Sequence, residues 1–532
     1  MSNQSPLQQE RLKYQPKLPV QLQHPRALEL VSEGNSSPQA ELAKLFPKTK
    51  DLRPLTFKEG KTRETAALRV GVVLSGGQAA GGHNVIAGLF DALKVLNPAS
   101  RLFGFLNGPK GIIDNKQKEL TADFISLYRN QGGFDMIGAG RTKIETPDQF
   151  AASEKTVKDL DLDGLVIVGG DDSNTTAALL AEYFLTHNVK TKVIGVPKTI
   201  DGDLKNSQIE ISFGFDTASK TFSEYIGSVL RDALSAKKYY FFIKLMGRTA
   251  SHLTLECALQ THPNLSLIGE EIEAKKMTIQ DITNEIVDLI LARAAEKKEF
   301  GVILIPEGII EFIPECRVLI KELNVLQAKG VKSSEVAEQL TPASLQCLNS
   351  MPKAIQDQLM LDRDAHGNVQ VSKIETERLF IETVKAELKK RNAKEISAQP
   401  LFCGYEGRSC MPSNFDADYC YALGYVAALL VSLGATGYMS SVQGLAGKEW
   451  RIGGTPLVGM MDIEMRKGEM KPVIKKALVD LQGAAFKQFA SQRGLWRLED
   501  DYRYPGPIQF FGPASLTDAV TMTLQLDSRK LS

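Results

Sequence analysis

The chain has 532 residues, 43% apolar and 24% charged, with 64 Lys and Arg against 63 Asp and Glu. That length exceeds what one hydrophobic core usually holds, and the composition is that of a folded globular protein, not of a disordered, fibrous or membrane-spanning chain. A formal net charge of +1 leaves no bulk field for nucleic acid or an anionic membrane, so any anion site has to be local.

Cys257, Cys316, Cys347, Cys403, Cys410 and Cys420 form no C-x-x-C pair and no zinc spacing, so reduced thiols in a cytoplasmic protein are the simplest account. The stretch from Met1 to Arg26 is polar and proline-bearing without an apolar core, unlike a secretory signal. The longest apolar run, Ala422 to Leu433, is too short to span a bilayer and is expected as a buried helix.

In chain order, residues 1–68 read as an irregular, partly helical arm, with a loop signal from Gly34 to Pro38 and a helix beginning at Ser37. From Arg69 to Ser75 a continuous apolar strand of the kind buried in a parallel sheet appears. A glycine-rich loop, Ser75–Asn84 (SGGQAAGGHN), and a helix from Val85 to Leu96 follow. Strand, loop and helix make a βαβ opening with an anion site at the helix N-terminus. The loop is neither a Walker sequence nor G-x-G-x-x-G, so a glycine-tightened corner is the plain alternative. A second strand runs from Leu102 to Leu106, and the loop from Gln131 closes on Arg141, either a phosphate ligand or a surface cation.

The strand from Leu165 meets Asp171 and Asp172 before a helix from Thr176 to Leu185. Acids there hold a metal, a proton or a partner, or else cap the helix. Val193–Asp203 (VIGVPKTIDGD) repeats the plan: a strand breaks at Pro197 and presents Lys198, Thr199, Asp201 and Asp203. That set suits phosphoryl transfer, one carboxylate receiving a hydroxyl proton while the lysine neutralises phosphate charge. By itself the stretch is equally compatible with a solvated surface turn.

A helix from Ala218 to Leu234 leads to a strand ending in Gly247 and Arg248, a helix from Ser251 to Leu259, and a strand ending at Pro306 beside Glu307 and Gly308. Residues 315–399, rich in Lys, Glu, Gln, Leu and Ala, read as a helical insertion whose charge run at 385–394 is a solvated face. Strand-loop chemistry returns at Leu401–Arg408, a helix runs from Asp416 to Leu433 and stops at Gly434, Gly453–Pro456 reads as a turn, and the tail from Tyr502 is proline-rich and irregular. No heptad, nucleic-acid motif or tandem repeat is present. The expected fold is α/β: two doubly wound Rossmann-like domains with parallel-rich sheets, an N-terminal arm and a helical insertion, the site lying along one rim.

The ordered motifs SGGQAAGGHN, GGDDS, PKTIDGD, MGR (from Met246), PEG (from Pro306) and GYEGR (from Gly404) resemble the phosphofructokinases, most closely their long pyrophosphate-dependent class, over about residues 69–460. The resemblance implies reversible transfer of a phosphoryl group from diphosphate to the 1-hydroxyl of fructose 6-phosphate, giving fructose 1,6-bisphosphate and phosphate. It implies Asp201 as general base; Thr199, Ile200, Met246, Gly247, Arg248, Glu307, Tyr405, Glu406, Gly407 and Arg408 around the sugar phosphate; and Gly76, Gly77, Arg141 and Lys198 around diphosphate. Asp171 is implied as the Mg²⁺ ligand. Lys238 and Tyr239 are implied to reach a neighbouring subunit's site, which makes the protein a homodimer or larger homo-oligomer with shared active sites.

ATP-using relatives have glycine in place of Asp172 and a small residue in place of Lys198. The resemblance therefore implies that Asp172 excludes a nucleotide by bulk and repulsion, while Lys198 steadies the leaving phosphate. The implied division is an arm (1–68), a donor-phosphate domain (69–215), a sugar-phosphate domain (216–460) holding the insertion, and a C-terminal helix and tail (461–532). Ala80 departs from the usual proline and frees φ there. An ATP-dependent kinase and a non-catalytic regulatory subunit are the alternatives; the retained Asp171, Asp172, Lys198, Asp201 and Asp203 favour a diphosphate-using enzyme.

Overall fold

The computed structural model describes residues 4–34, 39–331, 335–361, 369–447, 449–466 and 469–507. The loop signal at 35–38, the start of the expected helix at Ser37 and the tail beyond 507 lie outside them. A helix at Ala40–Leu45 is described.

The aliphatic, β-branched runs form most of the strands, which assemble into two large sheets, beside a two-stranded antiparallel ribbon of Met461–Arg466 and Glu469–Ile474. In the larger, nine strands lie in the order Leu28–Ser32, Leu55–Glu59, Arg451–Pro456, Tyr438–Gln443, Lys192–Pro197, Gly164–Gly169, Arg69–Leu74, Arg101–Phe105 and Gln117–Glu119. The five from Tyr438–Gln443 to Arg101–Phe105 are parallel, and the flanking strands are antiparallel. The smaller sheet, Ala398–Cys403, Tyr240–Leu245, Gly301–Pro306 and Leu265–Ser266, is wholly parallel. Parallel strands buried on both faces need apolar residues at every position, which is why these runs do not alternate with polar residues.

Successive side chains enter different cores, as a period of two dictates. Val70, Val72 and Leu74 join one apolar cluster with Val166, Val168, Ile194 and Val196. Val73, Leu165, Ile167 and Val193 join another on the opposite face. The first cluster continues into Phe241, Ile243 and Leu245 of the smaller sheet and so joins the two sheets. The other face of the smaller sheet, with Tyr240 and Phe242, packs on Leu319, Leu323, Phe380 and Val384. The helical insertion is therefore a packed layer on the second sheet. A buried ion pair ties them: Lys244 Nζ lies 3.4 Å from Glu377 Oε2 and donates to the Ile374 carbonyl at 3.1 Å.

The apolar run near residue 430 is a buried helix, Asn414–Ser432, and Gly434 follows it with φ +80°, the left-handed stop expected of glycine. It packs on the helix Gly82–Leu96 at a glycine crossing. A Cβ on Gly88 would lie 2.1 Å from the Tyr421 carbonyl oxygen, and one on Gly424 would lie 2.2 Å from that of Val85.

One expectation is corrected. Gly453–Pro456 is not a turn but part of the strand Arg451–Pro456. Its glycines let other elements close in, since a Cβ on Gly453 would lie 2.7 Å from the Leu55 carbonyl oxygen and one on Gly454 3.1 Å from Leu430. The stretch 216–460 contributes strands to both sheets. The long helix carries the chain back, and Tyr438–Gln443 and Arg451–Pro456 enter the larger sheet beside the arm.

Gly88→Val is expected to cost several kcal/mol, at or above the ~1–3 kcal/mol typical of overpacking, because the clash is with backbone. Gly494→Ala, in a helix with open space around it, is expected to be neutral or slightly stabilising. Chemical denaturation of the two variants beside the parent checks both.

Candidate active site

In the larger sheet the chain runs from Arg69–Leu74 outward to Arg101–Phe105 and then crosses to Gly164–Gly169 on the other side. Adjacent strands that lead to opposite sides open a crevice at their carboxyl ends. Gly76, Gly77, Asp171 and Asp172 sit at that crevice. The Ser173 hydroxyl donates to Ser75 Oγ at 2.8 Å, and the Gly76 amide donates to the Gly140 carbonyl at 2.8 Å, which fixes the two glycine loops to each other.

Three cationic heads converge on this pair of glycines. A Cβ on Gly76 would lie 3.3 Å from Lys198 Nζ, and one on Gly77 3.1 Å from Arg408 Nη1 and 3.3 Å from Arg141 Nη2. Lys198 is buried. Burial, reinforced by Arg408, pushes its pKa down to about 8 from an ordinary 10.5, against the pull of Asp201 and Asp171. Burial and the like charges of Arg248 and Arg408 also lower that of Arg141. The site is a cationic cradle whose charges repel one another when no anion is bound.

The acids face this cradle from two turns. Asp201 is buried, and its Oδ1 accepts no hydrogen bond; Arg408 Nη2 stands 3.9 Å away. Its turn is held by the Asp201 amide donating to Thr199 Oγ1 at 3.1 Å and by the Ser212 hydroxyl donating to the Thr199 carbonyl at 3.0 Å, with Ile200 fully buried beneath. Asp203 is engaged by the Thr249 hydroxyl at 2.5 Å, and burial followed by repulsion from Asp201 pushes it up to about 6. Asp171 and Asp172 lie in the first turn of the helix Asp171–Thr186, where the helix dipole favours them. Gly170, which has no side chain to cap with, holds the cap position, so the acids stand one and two residues inside the helix. Asp171 Oδ2 is 3.5 Å from Lys476 Nζ, and Asp172 Oδ1 accepts from Lys143 Nζ at 3.1 Å.

The second sheet supplies the other wall. The Met246 amide donates to the Cys403 carbonyl at 2.9 Å, and the Gly247 amide, at φ +140°, donates to Glu307 Oε2 at 2.9 Å. Burial, then Asp201, raises the Glu307 pKa. Burial opposes the Arg248 charge, but Asp201, Glu307, Asp171 and Asp203 outweigh it and hold that pKa up. Arg408 joins the two walls: Nη1 donates to the Gln78 carbonyl at 3.1 Å and Nε to Met246 Sδ at 2.8 Å. It belongs to the short helix Tyr405–Ser409, in which Tyr405 and Glu406 are exposed and Gly407 backs onto Phe222.

Lys238 and Tyr239 are the exception. They precede the strand Tyr240–Leu245, whose far end carries Met246, so roughly 20 Å of strand separates them from the site in the same chain. The sequence reading missed Lys143, Thr249 and Lys476. Lys143 lies two residues past Arg141 in the same loop, which is a legible hint. Lys476 had none, because it arrives on a returning segment. There the Ala477 amide donates to the Asp203 carbonyl at 2.7 Å, and the Ala477 carbonyl pairs with His252 Nε2 at 2.9 Å.

The phosphofructokinase family profile matches residues 69–431. The chain is 54% identical to pyrophosphate–fructose 6-phosphate 1-phosphotransferase subunit beta 1 of Arabidopsis thaliana, over 94% of this chain and 91% of the relative. It is 50% identical to pyrophosphate–fructose 6-phosphate 1-phosphotransferase of Porphyromonas gingivalis, over 97% and 98%. Among solved structures, the pyrophosphate-dependent phosphofructokinase of Nitrosospira multiformis superposes with a TM-score of 0.56 at 16% identity, over 84% of this chain and 96% of that one, a likeness of fold.

A buried ammonium whose pKa is lowered destabilises the folded state where only the unfolded chain keeps its proton cheaply. Lys198→Met is therefore expected to stabilise the protein most below pH 8. Between pH 8 and 10.5 the parent sheds that proton in the folded state only, so its handicap should shrink by about 3 kcal/mol. Urea unfolding of both proteins at pH 7 and pH 10 measures the difference.

Proposed function

The chain belongs to the phosphofructokinase family, and from its site we infer that it transfers a phosphoryl group reversibly between diphosphate and the 1-hydroxyl of fructose 6-phosphate. The forward products are fructose 1,6-bisphosphate and phosphate, a step of glycolysis and, in reverse, of gluconeogenesis. The observation that carries this reading is Lys198, Arg141 and Arg408 packed over Gly76 and Gly77 and facing an Asp201 oxygen without a hydrogen bond.

Diphosphate lies in this cradle, its charge answering the mutual repulsion of the cations. Close approach to the backbone is possible because Gly76 and Gly77 carry no side chain. The sugar phosphate is held from the other wall by Arg248, Glu307 and Arg408, with Met246 and Gly247 shaping the floor. The sugar hydroxyl gives its proton to Asp201 as its oxygen attacks the nearer phosphorus; the bridging P–O bond breaks and phosphate leaves. Asp201 suits the base role better than Asp203, whose oxygen is occupied by Thr249. Lys198 and Arg141 meet the charge that develops on the leaving phosphate. Asp172, at the first turn of its helix, stands against a nucleotide and leaves diphosphate as the donor.

Among the described residues no group of three or more His, Cys, Asp or Glu could cage a metal ion. The donor set nonetheless fits Mg²⁺: one hard carboxylate, Asp171, with only a 3.5 Å contact to Lys476, suits an ion that keeps its waters and shares substrate phosphate oxygens. Asp171 would hold it, and the bound ion would neutralise diphosphate charge. No helix of the described residues is long and apolar enough to cross a membrane, and we place the enzyme in the cytoplasm. Residues 69–215 serve as the donor side, and the second sheet with its insertion as the sugar-phosphate side.

Lys238 and Tyr239, at the wrong end of their strand for their own site, complete the site of a second copy, so the working unit is at least a homodimer. Mixing Lys238→Ala with Asp201→Asn, each nearly inactive alone, is expected to restore up to a quarter of parental activity on subunit exchange, about one site in four being intact. No recovery would assign separate sites. In a coupled assay with fructose 6-phosphate, diphosphate is expected to support turnover and ATP not. Asp201→Asn should cut the forward rate by roughly 10²–10⁴, as loss of a general base does.

A further inference from the structure

Donor choice on the reading above depends on where one carboxylate sits. The Asp172 side chain is about half exposed, and an exposed aspartate at a helix start has more than one rotamer open to it. A carboxylate that wanders excludes poorly. Lys143 restrains it, its Nζ lying 3.1 Å from Asp172 Oδ1. Its own side chain is only about one-quarter exposed, and Glu145 Oε1 stands 4.0 Å away on the other side.

The loop that carries Lys143 is itself fixed. Gly140 bridges to Ser75 in parallel register and accepts the Gly76 amide, and Arg141 lies over Gly77. Lys143 thus starts from backbone tied to the donor loop and ends on the first turn of the helix Asp171–Thr186. It spans the two lips of the crevice. An ammonium already balanced by two carboxylates has little charge to spare for a further anion.

We propose that Lys143 is a positioning residue for donor specificity: it pins the Asp172 carboxylate in the place a nucleotide's inner phosphate would need, and it acts through Asp172, not by binding diphosphate. The proposal rests on the diphosphate-dependent reading. In chemical terms, Lys143 is a strut between the phosphate loop and the excluding acid.

The test measures inhibition by ATP competing with diphosphate, together with the KM values of diphosphate and fructose 6-phosphate, in Lys143→Met, Lys143→Arg, Asp172→Gly and the double variant Lys143→Met with Asp172→Gly. Lys143→Met is expected to lower the inhibition constant of ATP roughly fivefold, the scale of one partly exposed ion pair, with the KM of fructose 6-phosphate unchanged. Lys143→Arg should restore the parental value. In the Asp172→Gly background the further change Lys143→Met should have no effect, since the group it holds is gone. A rise in the KM of diphosphate of equal size in both backgrounds would make Lys143 a direct ligand and overturn the proposal, as would an unchanged inhibition constant. A parent that does not turn over diphosphate at all would instead remove the functional reading, and the strut with it.

Discussion

The molecule is organised around positive charges gathered at one crevice, of which Lys198 is buried, Arg408 half-buried and Arg141 and Arg248 exposed. Arg141 and Arg408 press on the same two glycines, and Arg248 closes the far side. Like charges gathered this closely raise each other's free energy, most of all at the buried Lys198. The fold bears this cost because each cation is carried by a different rigid element: a strand end, a glycine loop, a short helix and the edge of the second sheet. None can relax away without disturbing a sheet. Bound anionic substrates would offset that repulsion.

What was readable from the sequence was what local chemistry decides. The parallel strands announced themselves as unbroken aliphatic runs, and the turn after Pro197 presented Lys198 and Asp201 in one short stretch. The long apolar helix was legible for the same reason. What was hidden depended on partners far away in the chain. Gly453 and Gly454 look like a turn until the arm's Leu55 and the helix residue Leu430 are seen to close on them. Arg408 looked like one substrate contact among several, yet it bonds Gln78 of the first glycine loop and Met246 of the second sheet while standing 3.9 Å from Asp201. Lys476 reaches Asp171 only because a segment just over three hundred residues later folds back over the site.

The same distinction separates Asp201 from Asp203. Two positions apart in one turn, they look interchangeable on paper. Packing gives Asp203 a hydroxyl partner and leaves an Asp201 oxygen facing the arginines. Sequence proposes such pairs of acids; only the surroundings assign them different work.

The insertion is held to the second sheet by more than apolar packing, and Lys244 gives that attachment a sharper meaning. Two residues before Met246, an ammonium sits in an otherwise hydrophobic sheet face, answered by Glu377 and the Ile374 carbonyl from the inserted segment. A shortened descendant that lost those two answering groups would be left with an orphan cation in oil. Residue 244 and the insertion are thus energetically coupled: trimming can proceed at the insertion's outer loops, but excision down to the sheet requires that the lysine be replaced in the same step.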